Sequence, residues 1–474
     1  MDRIVFVFVL LLNIATVFSQ KNKTQILKEL ETKKDTYDLI AQKIWDYAEV
    51  GYQEVKSVAL LQKTLSDEDF TITKGIAGMP TAFTAEYGKG KPIIAILGEY
   101  DALPGLSQQA VPQKKSAKKI AGHACGHHLF GTASAAAAIA VKNWIKANAI
   151  KGTIRFYGCP AEEGGSGKVY LVREGFFKDV DAVLHWHPNA LNDASAGAAL
   201  ANKSAKFRFY GIAAHAAISP DKGRSALDAV EAMNMMVNMM REHIPQEARI
   251  HYVITEGGKA PNVVPDFAEV YYYARHNNRK TVVEIFDRMV KAAKGAALGT
   301  GTTMDYEMIG GTHELLANIT LQKVMYANLV SVGGMTYTAK EKEFADKIAI
   351  SLGNKNVDAT IAKKIQAFKT EADPFGSTDV GDISFAVPTA GMSSATWVPG
   401  TPAHSWQAVA AGGTSIGNKG MLIASKTIAL TAADLFLDNS IIEKAKIEFI
   451  HKRGEDFKYV PLLGNRKPAL DYRK

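Results

Sequence analysis

Short apolar runs bounded by loops are the feature that most restricts the fold of this 474-residue chain. Residues 92–97 (PIIAIL) form such a run, and strand-like segments follow at 153–158 and 182–184. A run without a polar face is typical of a strand buried on both sides, as in a parallel sheet. The Ala-rich stretch 132–147 predicts a helix between two of these strands. Alternating strands and helices predict a doubly wound α/β layer.

The pattern changes near residue 203, where apolar and polar residues alternate as in a half-exposed strand. The order of predicted elements from there is β-α-β-β-α-β, which is that of a ferredoxin-like unit. We therefore expect a module inserted at 203–312, between parts 25–202 and 313–450 of the α/β domain. The tail, 451–474, is basic and weakly patterned and is interpreted as a surface extension.

Residues 1–19 predict a secretory signal peptide. One Arg precedes an apolar core at 4–12, and the small residue Ser19 offers a cleavage site. A retained membrane anchor is the alternative, although Asn13 and Thr16 interrupt the span. We therefore expect a secreted or periplasmic protein with no membrane span after the signal is removed.

The net charge of +8 is spread over scattered Lys and Arg residues. It is interpreted as a solvated basic surface, with a patch for an anionic partner as the alternative. The sequence contains no nucleic-acid-binding motif, so no nucleic-acid partner is expected.

The densest group of potential metal ligands lies in the stretch AGHACGHH at 121–128. His123, Cys125, His127 and His128 fall within six positions. Cys125 and His127 are two residues apart, so an extended loop can direct both side chains into one site. This density favours a metal site over a loop with a structural thiol and satisfied histidines.

Two adjacent carboxylates, Glu162 and Glu163, follow the strand predicted at 153–158. Burying such a pair is unfavourable unless a cation or a proton compensates the charge. One carboxylate can bind a metal while its neighbour transfers a proton. A solvated pair at a helix N-terminus is the alternative.

Further histidines lie in HWHP (His185 and His187) and in TPAHSW (His404). They gain significance because α/β sheets bind ligands just beyond the carboxyl ends of their strands. Together with Cys125 and a Glu they make a mixed sulfur, nitrogen and oxygen donor set. Such a set suits zinc, with manganese or cobalt as alternatives.

Eight motifs occur in an order that resembles the two-metal aminoacylase/carboxypeptidase-type metallopeptidases, in their amidohydrolase branch. The likeness spans residues 25–440. The motifs are GEYDALPGLSQ (98–108), GHACGHHLFG (122–131), CPAEEGGSGK (159–168), HWHP (185–188), HAAISPDKGRSALDA (215–229), NVVPD (262–266), GSTDVGD (376–382) and TPAHSWQ (401–407).

This resemblance implies a three-layer α/β/α metallopeptidase domain with an inserted ferredoxin-like lid domain. It also implies two divalent metal ions, Zn²⁺ or Mn²⁺, and a general base, Glu162, acting on a metal-bridged water. The metal ligands that it implies are Cys125, His127, Glu163, His187 and His404.

The resemblance further assigns three lid residues to the substrate. His215 would stabilise the oxyanion, within the chain or across a dimer, and Asn262 and Arg275 would hold the free carboxylate. The implied reaction is hydrolysis of N-acyl or N-aroyl amino acids such as p-aminobenzoyl-glutamate. A dipeptidase or deacetylase of the same fold, or a non-catalytic metal-binding relative, is the alternative. The expected partner is a second copy or a similar subunit.

The sequence departs from the family pattern at two places. Glu99 and Asp101 stand where many relatives carry a metal-binding His-x-Asp pair, and His128 stands where an Asp is usual. Whether Asp101 or His128 contributes to the metal shell is therefore left open. If Cys125 binds metal, a disulfide with Cys159 is excluded in the active form.

Overall fold

The computed structural model describes residues 23–371 and 376–473. The predicted signal peptide lies outside the described residues. The described chain forms two bodies, each with its own sheet and core. The strands are β1 (Thr71–Lys74), β2 (Phe83–Lys89), β3 (Ile93–Glu99), β4 (Leu103–Pro104), β5 (Ala121–Gly122), β6 (Gly152–Cys159), β7 (Ala182–Asn189), β8 (Ala201–Tyr210), β9 (Arg249–Glu256), β10 (Phe267–His276), β11 (Thr303–Thr312) and β12 (Thr389–Ala395).

Helices cover both faces of the larger sheet and one face of the smaller sheet. They are α1 (23–32), α2 (Lys34–Tyr47), α3 (Val55–Ser66), α4 (His127–Ala147), α5 (Glu162–Gly165), α6 (Gly167–Arg173), α7 (Ala226–Met240), α8 (Arg279–Thr300), α9 (Ile319–Val332), α10 (Ala339–Ser351), α11 (Thr360–Lys363), α12 (Val380–Ser384), α13 (Trp406–Gly412), α14 (Ser415–Leu437) and α15 (Asn439–Arg453).

The larger sheet has the strand order β1-β2-β6-β3-β7-β12. Strands β6, β3, β7 and β12 are parallel, whereas β1 and β2 form an antiparallel extension at one edge. The extension was not predicted, but the α/β class is confirmed. Because the parallel strands share one direction, their carboxyl ends meet at a common edge.

The apolar run in β3 is explained by burial on both faces of the sheet. Ile94 and Ile96 pack in the core formed with α4 and α14, and Ala95 and Leu97 pack in the core formed with α6 and α12. The sheet is therefore the middle of three layers, as expected for an α/β/α domain.

Helix α14 is long and apolar enough to cross a membrane by length and composition, and 78% of its most apolar window is buried inside the protein. It packs against α4, α9 and β12. This burial is that of a core helix, since such a helix satisfies the same criteria.

The smaller sheet has the order β11-β8-β10-β9, with antiparallel neighbours throughout. Helices α7 and α8 lie on its inner face, where Phe207, Met233, Tyr272 and Phe286 form a separate core. The β-α-β-β-α-β order confirms the ferredoxin-like lid domain.

Residues 455–473, the C-terminal segment, follow α15 without helix or strand. The segment contacts both domains, because Leu462 belongs to the lid core and Leu463 to a core of the α/β domain. Its middle is therefore packed into the protein at the junction of the two domains.

Candidate active site

A cavity of about 880 Å³ lies where the carboxyl ends of the parallel strands face the lid. Strand β3 ends at Glu99, β6 leads into Glu162, and β7 carries His187. The lid contributes Tyr273 and Arg275 from β10 to the lining. The cavity thus lies between the two domains at the edge of the sheet that the sequence predicted for ligands.

The loop before α4 directs Cys125 and His127 into this cavity. Gly126 has a φ of 77°, which glycine adopts without steric strain, and a Cβ there would lie 2.6 Å from Pro188. The Sγ of Cys125 lies 3.4 Å from Nε2 of His187. His187 donates its Nδ1–H to the carbonyl of Pro188 at 2.8 Å, which leaves Nε2 directed toward the thiol.

The five predicted metal ligands converge in two overlapping sets. Cys125, His127 and His187 have donor atoms within 4.8 Å of one another. Cys125, Glu163 and His404 meet the same limit, so Cys125 belongs to both sets. We refer to these five residues as the donor cluster.

Two carboxylates orient His127, which is fully buried. Its Nδ1–H donates to Oδ1 of Asp101 at 2.8 Å, and its Nε2 lies 3.1 Å from Oε2 of Glu99. Burial disfavours the imidazolium, but Cys125, Asp101 and Glu99 outweigh it and raise the pKa of His127. Asp101 therefore fixes the ring from behind, as carboxylates do for metal-binding histidines.

The adjacent carboxylates lie on a tight turn, α5, which we call the active-site turn. Ala161 and Ser166 flank it with left-handed backbone angles. The N–H of Glu163 donates to Oδ2 of Asp101 at 2.9 Å, and Oε1 of Glu163 lies 3.2 Å from Nε2 of His404.

The pKa values of the two glutamates are displaced in opposite directions. Burial raises the pKa of Glu162 well above its usual value, and the charges of Glu99 and Glu163 add to this effect. Burial also acts on Glu163, but His404 and His127 lower its pKa. A carboxyl with a raised pKa beside an ionised carboxylate is suited to proton transfer.

The site fits a bound metal on the evidence of its own atoms. Oε2 of Glu99, Nε2 of His127 and Oε1 of Glu163 are buried and make no hydrogen bond in the described residues. Buried polar atoms without partners are rare and unfavourable. Sulfur, imidazole and carboxylate donors directed at one another are the ligand types of a divalent cation such as zinc.

Three other histidines of the sequence clusters are not part of the donor cluster. His123 and His128 donate through Nε2 to the carbonyls of Ile44 and Gly412, each at 3.0 Å. His185 lines the cavity, and burial lowers its pKa to about 3. The density of histidines located the site correctly, but His123 and His128 serve the backbone of packed elements. Cys125 and Cys159 are free thiols.

A buried lysine was missed by the sequence reasoning. Nζ of Lys168 lies 2.6 Å from both Oε1 of Glu99 and Oδ1 of Asp379. The backbone N–H of Lys168 also donates to Oδ2 of Asp379 at 2.9 Å. Both residues lie in the motifs quoted above, but pairing across 211 positions leaves no trace in the spacing.

The predicted substrate residues divide into two groups. Arg275 lines the cavity, with its guanidinium 5.2 Å from the ring centre of Tyr273 and its Nε without a partner in the described chain. His215 and Asn262 lie side by side on the lid, where Ala216 donates to the carbonyl of Asn262. Both are exposed and neither lines this cavity.

An α/β/α domain with Cys, His and Glu donors at its strand ends, closed by a ferredoxin-like lid, defines a two-domain metallohydrolase. The family model of peptidase family M20/M25/M40 matches residues 95–406, and the chain belongs to this family. It is therefore a metal-dependent hydrolase that acts on an amide bond.

Three comparisons place the chain within that family. It is 44% identical over 469 residues to a p-aminobenzoyl-glutamate hydrolase subunit of Escherichia coli (strain K12), covering 93% of this chain and 97% of the relative. It is 28% identical to the Xaa-Arg dipeptidase of Mus musculus, with 92% and 93% covered. A dinuclear metal-binding M20 peptidase from Bacillus subtilis shares the fold at 18% identity, with a TM-score of 0.57 and 86% and 99% covered.

Proposed function

We propose that this protein hydrolyses the amide bond of N-aroyl amino acids of the p-aminobenzoyl-glutamate type. The observation that carries the proposal is the donor cluster with Glu162 lining the same cavity. The 44% identity to the Escherichia coli p-aminobenzoyl-glutamate hydrolase subunit supports the choice of substrate class.

The donor cluster would hold two divalent ions, with Cys125 shared between its two sets. Zinc is the proposed metal because a thiolate is a soft ligand, and manganese is the alternative. Bound metal would supply Lewis-acid activation of water and of the amide carbonyl.

The chain's own residues would then move the proton and hold the substrate. Glu162 would accept the proton of the attacking water and deliver it to the leaving nitrogen. Its burial and its neighbouring carboxylates raise its pKa, which favours the second of these steps. Arg275, with an unpaired Nε in the cavity, would bind the free carboxylate of the amino acid.

We also propose that the protein is a dimer formed through the lid. Strand β9 is an unpaired sheet edge, and its exposed Tyr252, Val253 and Ile254 lie beside exposed Met235 and Met239 of α7. Exposed apolar patches of this kind mark interaction surfaces. His215 and Asn262 of one subunit would then serve the cavity of the other.

The second subunit is proposed to be another copy of this chain. A similar but different subunit is the alternative, because the name of the Escherichia coli relative is that of an enzyme subunit. The proposed location is outside the cytoplasm, on the strength of residues 1–19. N-terminal sequencing of protein from its native source tests this, and a retained residue 1 would contradict it.

The decisive experiment is a substrate panel with purified protein lacking residues 1–19. The panel contains p-aminobenzoyl-glutamate, benzoyl- and acetyl-amino acids, and dipeptides ending in Arg, each with and without a chelator. The proposal expects chelator-sensitive hydrolysis with the highest kcat/KM for an aroyl amino acid. A preference for Arg dipeptides would favour the second candidate, a dipeptidase, which the Mus musculus relative supports.

A further inference from the structure

The C-terminal segment is anchored along its whole path between the two domains. Lys203 of the lid strand β8 donates to the carbonyl of Leu462 at 3.0 Å. Arg466 donates to the carbonyl of Ile309 in β11 at 2.8 Å. On the α/β side, Arg173 donates to the carbonyl of Arg466 at 2.8 Å. These contacts cross the junction between lid and α/β domain and direct the chain toward the cavity.

The segment ends at the active-site turn. The hydroxyl of Tyr472 donates to the backbone carbonyl of Glu163 at 3.0 Å, and Nη2 of Arg473 donates to the same oxygen at 2.8 Å. Gln53 secures the approach by donating to the carbonyl of Leu470 at 2.8 Å. Arg473 also lines the cavity. The extension thus reaches the peptide group of a donor-cluster residue.

The position of Tyr472 is built into the surrounding residues. Its ring packs edge-on against Tyr52 at 5.7 Å, and the hydroxyl of Tyr52 donates to the carbonyl of Gly165 at 2.7 Å. A Cβ on Gly51 would lie 2.3 Å from the hydroxyl of Tyr472. Only glycine at position 51 leaves room for this hydroxyl, so the contact is accommodated by the N-terminal part of the domain as well.

The active-site turn requires such support because its backbone is unfavourable. Ala161 and Ser166 both have left-handed φ values, 55° and 56°. For residues other than glycine this conformation costs roughly 1–2 kcal/mol each. The N–H of Glu163 is held by Asp101, and its carbonyl is held by Tyr472 and Arg473. Both polar backbone groups of Glu163 are therefore fixed from outside the turn.

We propose that Tyr472 and Arg473 are positioning residues of the active site. They hold the backbone of Glu163 so that its carboxylate faces His404 and Glu162 faces the cavity. The C-terminal extension is accordingly a structural part of the metal site. This inference rests on the proposed function, because it takes Glu163 as a metal ligand.

The test compares Zn²⁺ affinity, by chelator competition, among Tyr472→Phe, Arg473→Met and the double variant. Loss of groups that orient a metal ligand lowers metal affinity by about 10- to 100-fold. We expect a loss of at least tenfold in the double variant, a lower kcat, and an unchanged melting temperature of the metal-free protein. Arg473→Lys should recover part of the affinity, since an ammonium can still donate to the Glu163 carbonyl.

Asp471→Asn is the matched control, because this side chain is exposed in the same stretch and makes no recorded contact within 23–371 and 376–473. It should retain wild-type affinity. Double-variant affinity within twofold of wild type would overturn the inference. So would a raised KM with unchanged affinity and kcat, since Arg473 would then bind substrate instead.

The affinity measurement needs no substrate. A wild-type protein that hydrolyses none of the panel, together with weakened Zn²⁺ binding in the double variant, would refute the proposed function and leave the positioning role supported.

Discussion

Asp101 accepts a hydrogen bond from Nδ1 of His127 at 2.8 Å, and its second oxygen accepts from the backbone N–H of Glu163 at 2.9 Å. One carboxylate thereby joins two residues of the donor cluster that lie on different elements. Its charge also favours the Nδ1–H form of the imidazole, which leaves Nε2 available to a metal. This answers part of the question left open by the sequence, since Asp101 supports a proposed ligand from behind.

Asp101→Asn should lower Zn²⁺ affinity by about 10- to 100-fold, as expected for a partner that orients a ligand. An amide offers one acceptor and one donor, so it can satisfy His127 or the N–H of Glu163 but not both. Chelator competition measures the effect. Asp46→Asn, on the exposed surface, is the control. Equal affinities of the two variants would show that Asp101 does not orient the site.

The sequence predicted those parts of the site that follow from local rules. Cys125, His127, Glu163 and His187 each follow or end a strand, and the carboxyl ends of parallel strands meet at one edge. The ferredoxin-like lid followed from periodicity and element order. Both signals are local, so one sequence suffices to read them.

The remaining features depend on contacts between distant segments. The pairing of Lys168 with Asp379, and of Arg473 with the carbonyl of Glu163, joins residues far apart in the chain. His123 and His128 matched a metal motif, but neighbouring backbone carbonyls took their ring nitrogens. Such choices are made by packing, which composition and spacing do not record.

Glu162→Gln should lower kcat by about 100- to 10,000-fold, the usual contribution of a general acid–base. The amide cannot accept the proton of the attacking water. Zn²⁺ content should be unchanged, because Glu163 rather than Glu162 faces His404. Turnover and metal analysis on the same preparation measure both quantities. Undiminished hydrolysis by the variant would exclude Glu162 as the base.

Arg275→Met should lower kcat/KM for substrates with a free carboxylate by about 10- to 100-fold, the value of a hydrogen bond to a charged group. For the corresponding carboxamide substrates the variant and wild type should be similar. Arg249→Met is the control, because that arginine lies on the edge strand β9 and does not line the cavity. An equal loss on both substrate types would argue against carboxylate recognition by Arg275.

Glu448 provides a pH-dependent contribution to stability away from the active site. It accepts the backbone N–H groups of Ile319 and Thr320 at the start of α9, at 2.7 and 2.8 Å. Partial burial opposes ionisation, but hydrogen bonds from Lys452, Thr320 and Ile319 lower its pKa to about 2. A depressed folded-state pKa stabilises the fold above the unfolded value near 4.5, and the benefit is lost as the pH falls toward 2.

Glu448→Gln should therefore reduce the free energy of unfolding by about 1 kcal/mol at pH 7, as for loss of a helix cap. Below about pH 2 the variant and wild type should converge. Urea unfolding at several pH values measures the difference. Glu443→Gln, an exposed residue on the same helix, should differ little from wild type at any pH. A constant difference for Glu448→Gln across the pH range would contradict the prediction.

Lys168 neutralises two carboxylates beneath the active site, and its removal should destabilise the fold strongly. Its side chain is fully buried, with Nζ 2.6 Å from Glu99 and from Asp379. Lys168→Met leaves both acids buried without a counter-charge, which costs about 3–5 kcal/mol. Lys91→Met is the control, since Lys91 pairs with Asp181 at 3.0 Å but is 58% exposed. Exposed pairs contribute about 1 kcal/mol or less, so equal losses in urea unfolding would mean that Glu99 and Asp379 are not held as a buried charged pair.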